Sequence, residues 1–246
     1  MLNTTKIYFL ILLVLLSIAG CTNNPVFEPQ KHQIKTTTKW LVSNKTNDKI
    51  AKISYKKYNR TGKLVFSEKY NEKNVLLIRR VITYTKTLKI ETITEFKTNT
   101  ESIKSKNIFR FDSNGNISER VSINTDGDTT SVFKFFYDSK GHIIKELHYD
   151  NKGNLINKIS YTYNYNIDGF VTRRIVRGFD NKPTSRDSII YKPDEQQVKR
   201  IVYYTESNKQ IIYTYIYDNA GNVRKEILTD HSGNILKKYI YEYTYY

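Results

Sequence analysis

Apolar and polar residues alternate in short runs along most of this chain, and each run ends in a turn motif. The motif begins with an aromatic residue followed by Asp or Asn, and a glycine comes four residues after the aromatic. Clear copies begin at Phe111, Tyr137, Tyr149 and Tyr217, and near copies begin at Tyr58 and Thr229. Turns follow one another at roughly 12 to 16 residues, a spacing typical of β-hairpins.

Each part of the motif has a mechanical reason. The Asp or Asn side chain can accept a hydrogen bond from the backbone two residues on, and the glycine can take the positive φ that closes a hairpin. The intervening runs are rich in Tyr, Ile, Val, Phe and Thr, which favour strands, and no segment sustains a helical period. The pattern predicts an all-β antiparallel meander of roughly fourteen strands between Trp40 and Tyr246, forming one curled sheet.

The alternation within a repeat predicts which face is buried. Counted from Gly141, positions two and six are the apolar Ile143 and Leu147, whereas position five is Glu146. Positions two and six have the same parity, so we expect them to line the inner face and position five to meet water. Lys145 at position four has the apolar parity but is polar. Either a β-bulge shifts the register there, or the inner face carries a polar layer.

The N-terminal pattern is different and predicts export. An apolar run from Ile7 to Leu16 follows Lys6 and is too short to span a bilayer as a helix, so residues 1–20 are predicted to be a secretory signal peptide. Residues 21–39 are rich in Asn, Thr and Lys without sustained periodicity, which predicts a flexible tether. Residues 40–246 then form the β-hairpin repeat domain.

The end of this leader, Ile18-Ala19-Gly20-Cys21, resembles the lipobox of bacterial lipoproteins. The resemblance implies cleavage between Gly20 and Cys21 and a lipid on Cys21 that anchors the protein in a membrane. It places the protein in the bacterial cell envelope, with the outer membrane as the expected site and the periplasmic or surface face left open. Because Cys21 is the only cysteine, a disulfide framework is excluded.

Three turn motifs, at Tyr137, Tyr149 and Tyr217, keep tyrosine, aspartate and glycine together. The pattern resembles the YD repeat of Rhs-type proteins and covers the chain loosely from Tyr58 onward. The resemblance implies a continuous, curled β-sheet and an association with glycan or protein contact at cell surfaces. The chain is several times shorter than the members of that family that form shells, so encapsulation of a cargo is not expected.

The charge narrows the class of partner. Forty Lys and Arg residues against 24 Asp and Glu residues give a net charge of +16, which predicts attraction to phosphorylated lipid headgroups, acidic glycans or an acidic protein. Nucleic acid is not expected as a partner of an exported protein. Adjacent pairs such as Arg79-Arg80 and Arg173-Arg174 put one charge on each face of a strand, which disfavours a membrane-spanning barrel.

No enzyme constellation stands out. His142 and His148 are six residues apart, roughly 20 Å along a strand, and His231 falls in a turn while His32 falls in the tether. Turns such as residues 112–116 offer oxygen atoms but lack the downstream glutamate of a calcium loop, so they are interpreted as hairpin turns. We therefore expect neither catalysis nor a metal or other cofactor.

Tyrosine is unusually frequent, with 21 copies, and several copies alternate along strands. The rows are Tyr161, Tyr163 and Tyr165; Tyr213, Tyr215 and Tyr217; and Tyr239, Tyr241, Tyr243 and Tyr245. Packing between neighbouring strands is the commoner use of such rows. They could also form a ligand platform, since the rings offer flat apolar faces and a hydroxyl with little conformational entropy to lose.

These observations predict a non-enzymatic envelope lipoprotein that binds an acidic glycan or a protein partner through a basic, tyrosine-rich sheet. Three alternatives stay open: an immunity or antitoxin-like lipoprotein that binds a toxin, a structural envelope scaffold, and a hydrolase with His142 or His148 beside a carboxylate. An open sheet would also leave its last strand, residues 235–246, as a free edge. That edge could pair with another copy or with a partner strand.

Overall fold

The computed structural model describes residues 33–97, 100–191 and 197–246. The predicted signal peptide, the cleavage and lipidation residues Gly20 and Cys21, and most of the predicted tether lie outside this part of the chain. Within it, no helix is long and apolar enough to cross a membrane.

The described residues form sixteen strands, whereas the turn spacing predicted roughly fourteen. They are β1 (Ile34–Val42), β2 (Lys49–Tyr58), β3 (Leu64–Tyr70), β4 (Leu76–Tyr84), β5 (Leu88–Lys97), β6 (Thr100–Phe111), β7 (Ile117–Ile123), β8 (Thr129–Tyr137), β9 (Ile143–Asp150), β10 (Leu155–Tyr165), β11 (Val171–Arg177), β12 (Pro183–Tyr191), β13 (Gln197–Tyr204), β14 (Lys209–Tyr217), β15 (Val223–Thr229) and β16 (Ile235–Tyr245). Each strand pairs antiparallel with the next, so the predicted meander is confirmed.

The prediction of an open, curled sheet is wrong, because β1 pairs with β16 and closes the sheet into a barrel. The closing strand begins at Ile34, inside the segment predicted as tether, and residues such as Thr38 lie directly opposite β16. Threonine is a good strand former, but it gives no apolar alternation from which a strand could be recognised. Closure leaves the last strand paired on both sides. The free edge that was predicted to pair with another copy or with a partner strand therefore does not exist.

Side chains reinforce this closing seam. Trp40 on β1 donates its indole N–H to a carboxylate oxygen of Glu242 on β16 at 2.8 Å. Lys49 on β2 pairs with the same carboxylate and lies over the Trp40 ring. Glu242 therefore links the last strand to the first two.

The hairpin turns form as the motif predicts. The Oδ1 atom of Asp138 accepts the backbone N–H groups of Lys140 at 2.9 Å and His142 at 2.8 Å. Gly141 has a φ of 81° and donates its N–H to the Asp138 carbonyl. A side chain at Gly141 would be strained at this φ, which explains why the motif requires glycine there.

A β-bulge follows this turn and decides which residues face inward. Tyr137 lies opposite Ile143, but Phe136 lies opposite Lys145, so one extra residue of β9 is inserted. The bulge reverses the alternation: Ile143 and Glu146 are buried. Leu147 lies on the other face. The prediction that position five meets water and position six is buried is therefore wrong for this repeat, and the first of the two explanations for the polar position four is correct.

The repeat positions that face inward differ between the two rims of the barrel. We call the rim with the start of β1 and the end of β16 the proximal rim, and the other the distal rim. At proximal turns the residue before the turn points inward, as Tyr137 does. At distal turns it points outward. In β10, after Gly153, Ile159 at position six therefore faces inward as predicted, whereas Leu155 at position two lies opposite Tyr149 and faces outward, against the prediction. One repeat sequence thus has two orientations, depending on the rim.

Candidate functional site: a polar barrel lumen

The three tyrosine rows face the interior of the barrel. In β10, Tyr161, Tyr163 and Tyr165 are partly buried, while the intervening Thr162 and Asn164 are exposed on the outside. Strand pairing puts the rows on β14 and β16 on the same inner face. All ten tyrosines of the three rows therefore belong to the wall of one lumen.

A ladder of hydrogen bonds fixes six tyrosine hydroxyls at the proximal rim. In each case a tyrosine on an even-numbered strand donates its hydroxyl hydrogen to the backbone carbonyl oxygen of the first residue of the preceding strand. The acceptor is twenty residues before the tyrosine in every rung. The rungs run from Tyr84 to Leu64, Tyr137 to Ile117, Tyr163 to Ile143, Tyr191 to Val171, Tyr217 to Gln197 and Tyr243 to Val223, at 2.6–3.0 Å. The ladder satisfies carbonyl groups beside the bulges, so these tyrosines hold the wall together.

Two further tyrosines bind buried glutamates. Tyr161 donates to Glu146 and Tyr241 donates to Glu226, both at 2.7 Å. Burial raises the pKa of Glu146, and burial together with the neighbouring carboxylate raises the pKa of Tyr161 well above its usual range. The tyrosine hydroxyls therefore stay protonated and act as donors.

Charged residues on the same face form compensated groups along β11 to β1. Asp187 is almost fully buried, and one of its carboxylate oxygens contacts Arg174 at 2.6 Å and Arg200 at 2.8 Å. Glu226 accepts a hydrogen bond from Lys39 at 2.6 Å across the closing seam. In these places each inward-facing cation has a carboxylate beside it, as buried charges require.

The wall formed by β2, β3 and β4 differs. Lys56 lies opposite Ser67, and Ser67 lies opposite Arg80, so two cations flank one hydroxyl in a row across the three strands. Lys69 follows two residues after Ser67 on the same inner face. The described residues place no carboxylate within ion-pair distance of Lys56, Lys69 or Arg80. We call these four residues the cationic cluster.

His142 and His148 have separate partners. Nδ1 of His142 lies 2.9 Å from the hydroxyl of Tyr165, which also donates to Asp138 at 2.7 Å. This arrangement does set a histidine beside a carboxylate, but Asp138 is also the capping residue of the same turn. His148 stacks on Phe133 with ring centroids 3.9 Å apart, and burial lowers its pKa. His231 lies in the β15–β16 turn, and His32 lies outside the described residues.

The Asp-rich turns use their oxygen atoms locally. Asp112 accepts the backbone N–H groups of Asn114 and Asn116, which is the hairpin interpretation of that motif. Among the described residues there is no group of three His, Cys, Asp or Glu side chains that could hold a metal ion.

Sequence reasoning missed the cationic cluster and the buried acids. The signal for Glu146 and Glu226 was present, because position five of the repeat is charged, but the bulge that turns it inward was not assigned. The cluster carries no motif at all: Lys56 and Lys69 are two of many lysines, and only pairing across β2, β3 and β4 brings them together.

The fold and its lining define a closed, sixteen-stranded antiparallel β-barrel with a polar, tyrosine-rich lumen. No protein-family model matches the chain, and no curated protein matches it. Among solved structures, it is similar to a porin-like protein from Bacteroides uniformis, at 12% identity and a TM-score of 0.54, covering 88% of this chain and 100% of that one. This likeness shows a shared fold.

Two other structural neighbours are more distant. A porin-like protein from Bacteroides vulgatus matches at 9% identity and a TM-score of 0.37, covering 87% of this chain and 99% of that one. The Tc holotoxin pore of Photorhabdus luminescens matches at 10% identity and a TM-score of 0.29. That match covers 82% of this chain but only 14% of the toxin chain.

Proposed function

We propose that this chain is a non-enzymatic lipoprotein of the bacterial cell envelope, and that its barrel lies outside the bilayer and binds an acidic glycan in the lumen. The observation that carries the proposal is the lining of the lumen, where basic side chains such as Lys39, Arg174 and Arg200 lie beside tyrosine rings. Aromatic faces suit the apolar faces of sugar rings, and the cations suit carboxylate or sulfate substituents. The net charge of the chain favours the same class of ligand.

The third tyrosine row reaches the proximal rim of the barrel. Tyr241, Tyr243 and Tyr245 line an open depression of about 610 Å³ at the proximal end of β16, together with Asp218 and Arg224. The turns of the described residues at this rim are short, so they leave the end of the barrel uncovered by long loops.

The outer surface supports a position outside the bilayer. Lys134, Arg173 and Arg186 are exposed in the middle of β8, β11 and β12. A Lys or Arg near the midplane costs a membrane-spanning barrel about 2–4 kcal/mol each. The name of the Bacteroides uniformis protein suggests a pore, but these outward charges favour a barrel that reaches the membrane through a lipid on Cys21.

Two measurements test the proposal. A glycan array probed with residues 21–246 carrying Cys21→Ser should show binding to uronic-acid or sulfated glycans over neutral ones, and binding to no acidic glycan would refute the ligand class. Mass spectrometry of the protein from its native host should find Cys21 acylated at the new N-terminus. An unmodified Cys21 would refute the anchor.

A structural envelope scaffold is the second candidate, and the tyrosine ladder is the observation that favours it. Six tyrosine hydroxyls are used to join strands, so tyrosine abundance alone does not require a ligand. The scaffold predicts a stable barrel that captures no glycan and no protein. An immunity-like lipoprotein would instead show one tight protein partner in a pull-down from the native host.

A further inference from the structure

The cationic cluster is a place where the barrel wall concentrates charge without neutralising it. Lys56, Ser67 and Arg80 lie in register on three adjacent strands, with Ser67 between the two cations. Ser67 is buried and is the shortest side chain of the row. Two long basic side chains on either side of a short hydroxyl can converge on one small group.

The contrast with the rest of the lumen shows that this charge is not a general property of the wall. Arg174 and Arg200 share the carboxylate of Asp187, and Lys39 is paired with Glu226. Arg79, the sequence neighbour of Arg80, pairs with Glu68 on the outside of the barrel. Glu91 and Glu95 also face inward on β5, diagonally across from Arg80, and Glu91 pairs with Lys89. Within the described residues, no carboxylate lies within ion-pair distance of the three cations of the cluster.

This arrangement works against folding when nothing is bound. Like charges at close range repel one another, and the enclosing wall takes the ammonium groups partly out of water. Both effects are present here: desolvation, followed by the charges of Lys39 and Arg80, lowers the pKa of Lys56, and desolvation followed by Arg80 lowers that of Lys69. An unfavourable group of charges at an accessible place is typical of a binding site.

The cluster is accessible from the lumen. The Lys56 side chain faces inward, as its pairing with Ser67 requires, and is nevertheless exposed to solvent. It lies one inward-facing position from Tyr58, which is at the proximal rim. A ligand entering through that rim can therefore reach the ammonium group.

We propose that Lys56, Lys69, Arg80 and the Ser67 hydroxyl form an oxyanion subsite in the lumen, which takes a carboxylate, sulfate or phosphate group. The guanidinium of Arg80 offers paired N–H donors that match two oxygens of such a group, while the lysines supply point charges and the hydroxyl a further donor. As part of the proposed function, the subsite holds the acidic substituent of the glycan while the tyrosines contact its rings.

The test compares residues 21–246 carrying Cys21→Ser with two double variants of equal charge. Lys56→Gln with Arg80→Gln neutralises the cluster, and Lys57→Gln with Arg79→Gln neutralises the sequence neighbours on the outer face. Calorimetric titration uses oligogalacturonate, a sulfated heparin oligosaccharide, inorganic sulfate, inorganic phosphate and a neutral cello-oligosaccharide. We expect the cluster variant to lose at least about tenfold in affinity for the anionic probes, and the outer variant to stay within about twofold.

The melting temperature without ligand separates binding from structural support. If the cluster serves binding, neutralising it relieves repulsion and the variant melts at or above the temperature of the parent protein. If it serves stability, the variant melts lower. A cluster variant that keeps the parental affinity, or that melts clearly lower, would overturn the subsite.

A third variant keeps the test decisive if the double variant does not fold. Ser67→Asp supplies a permanent carboxylate between the cations, so it should raise the melting temperature and prevent binding of sulfate and phosphate. Anion binding unchanged in Ser67→Asp would also overturn the subsite. The small anions separate the two proposals: if they bind at the cluster and no glycan does, the glycan function fails and the subsite stands. If glycans bind equally to all variants, the glycan function stands and the subsite fails.

Discussion

The hydroxyl of Tyr163 on β10 donates a hydrogen bond of 2.8 Å to the carbonyl oxygen of Ile143 on β9. Ile143 is the first residue after a proximal turn and belongs to the bulge that turns Glu146 inward. Without the tyrosine, the carbonyl would lack this donor. The same bond recurs in all six rungs of the ladder, so one relationship stabilises the bulged start of six odd-numbered strands.

Removing one rung should weaken the barrel by a modest amount. We expect Tyr163→Phe to lower the free energy of unfolding by about 0.5–1.5 kcal/mol, because it removes one hydrogen bond and keeps the ring. Tyr149→Phe, on the outer face of β9, is the matched control and should change it by less. Urea unfolding followed by circular dichroism measures both. Equal effects of the two variants would contradict a structural role for the ladder.

The ladder has a natural gap at β6, where Phe111 occupies the equivalent position. Leu88, the first residue of β5, lies opposite Arg110, next to Phe111. Phe111→Tyr should therefore place a hydroxyl near the Leu88 carbonyl and raise the free energy of unfolding by about 0.5–1.5 kcal/mol. The gain should be absent in Phe136→Tyr, which faces outward. A destabilised Phe111→Tyr would show that the site at β6 does not share the geometry of the other rungs.

The turns and strands of this fold could be predicted from sequence because their determinants are local. Asp138 and Gly141 specify a hairpin through their own backbone contacts, whatever the rest of the chain does. The bulge at Ile143 could not be assigned, because it depends on how β9 pairs with β8, and a shift of one residue exchanges the two faces. The inward position of Glu146 was consequently predicted the wrong way round.

Closure of the barrel could not be predicted from the sequence for a different reason. It depends on β1, whose polar residues such as Thr36 and Thr38 resemble a tether, and on the accumulated stagger of all the strands. The candidate site depends on both features: only a closed barrel has a lumen, and only the correct register puts Lys56 and Arg80 inside it. The prediction of a basic, tyrosine-rich binding surface stays untested, and its location is now the inner wall.

Stability should decline at alkaline pH because the lumen keeps tyrosines protonated. Desolvation raises the pKa of Tyr163 to about 12, and desolvation followed by the Glu226 carboxylate raises that of Tyr241 further. In the unfolded chain a tyrosine ionises near pH 10. The folded pKa is the higher one, so the stability contributed by the neutral tyrosines is complete below about pH 10 and is lost as the pH rises toward the folded pKa.

We therefore expect the free energy of unfolding to fall by about 1.4 kcal/mol per pH unit above pH 10 for each such tyrosine. Spectrophotometric titration of phenolate absorbance checks the cause. Most tyrosines of the folded protein should ionise later than those of the urea-unfolded protein. Coincident titration curves would contradict protection by the lumen.

The Lys39–Glu226 pair predicts a larger effect than any single rung. Glu226 is buried and accepts hydrogen bonds from both Lys39 and Tyr241. Glu226→Gln leaves Lys39 without its counter-charge, so the free energy of unfolding should fall toward the lower end of the roughly 3–5 kcal/mol typical of a broken buried pair, since Lys39 keeps some solvent contact. Glu119→Gln, which breaks an exposed pair with Arg110, should cost under about 1 kcal/mol. Comparable losses in the two variants would show that the seam pair is not enclosed.

Closure itself can be tested by joining the first and last strands covalently. Thr36 on β1 lies opposite Thr244 on β16, and their hydroxyl oxygens are 2.7 Å apart. In a Cys21→Ser background, Thr36→Cys with Thr244→Cys should form a disulfide within one chain under mild oxidation. Because that disulfide closes almost the whole chain into one loop, it should raise the free energy of unfolding by about 2–4 kcal/mol.

The control for this crosslink is Thr36→Cys with Thr214→Cys, since Thr214 lies on the outer face of β14, two strands away from β16. It should give no disulfide within one chain. Non-reducing electrophoresis and intact-mass measurement distinguish a bond within the chain from a dimer. A sheet that stayed open in solution would leave β1 and β16 apart, and the Thr36–Thr244 cysteines would then react only between molecules or not at all. That outcome would remove the lumen and, with it, the basis for a binding site formed by Lys56, Ser67 and Arg80.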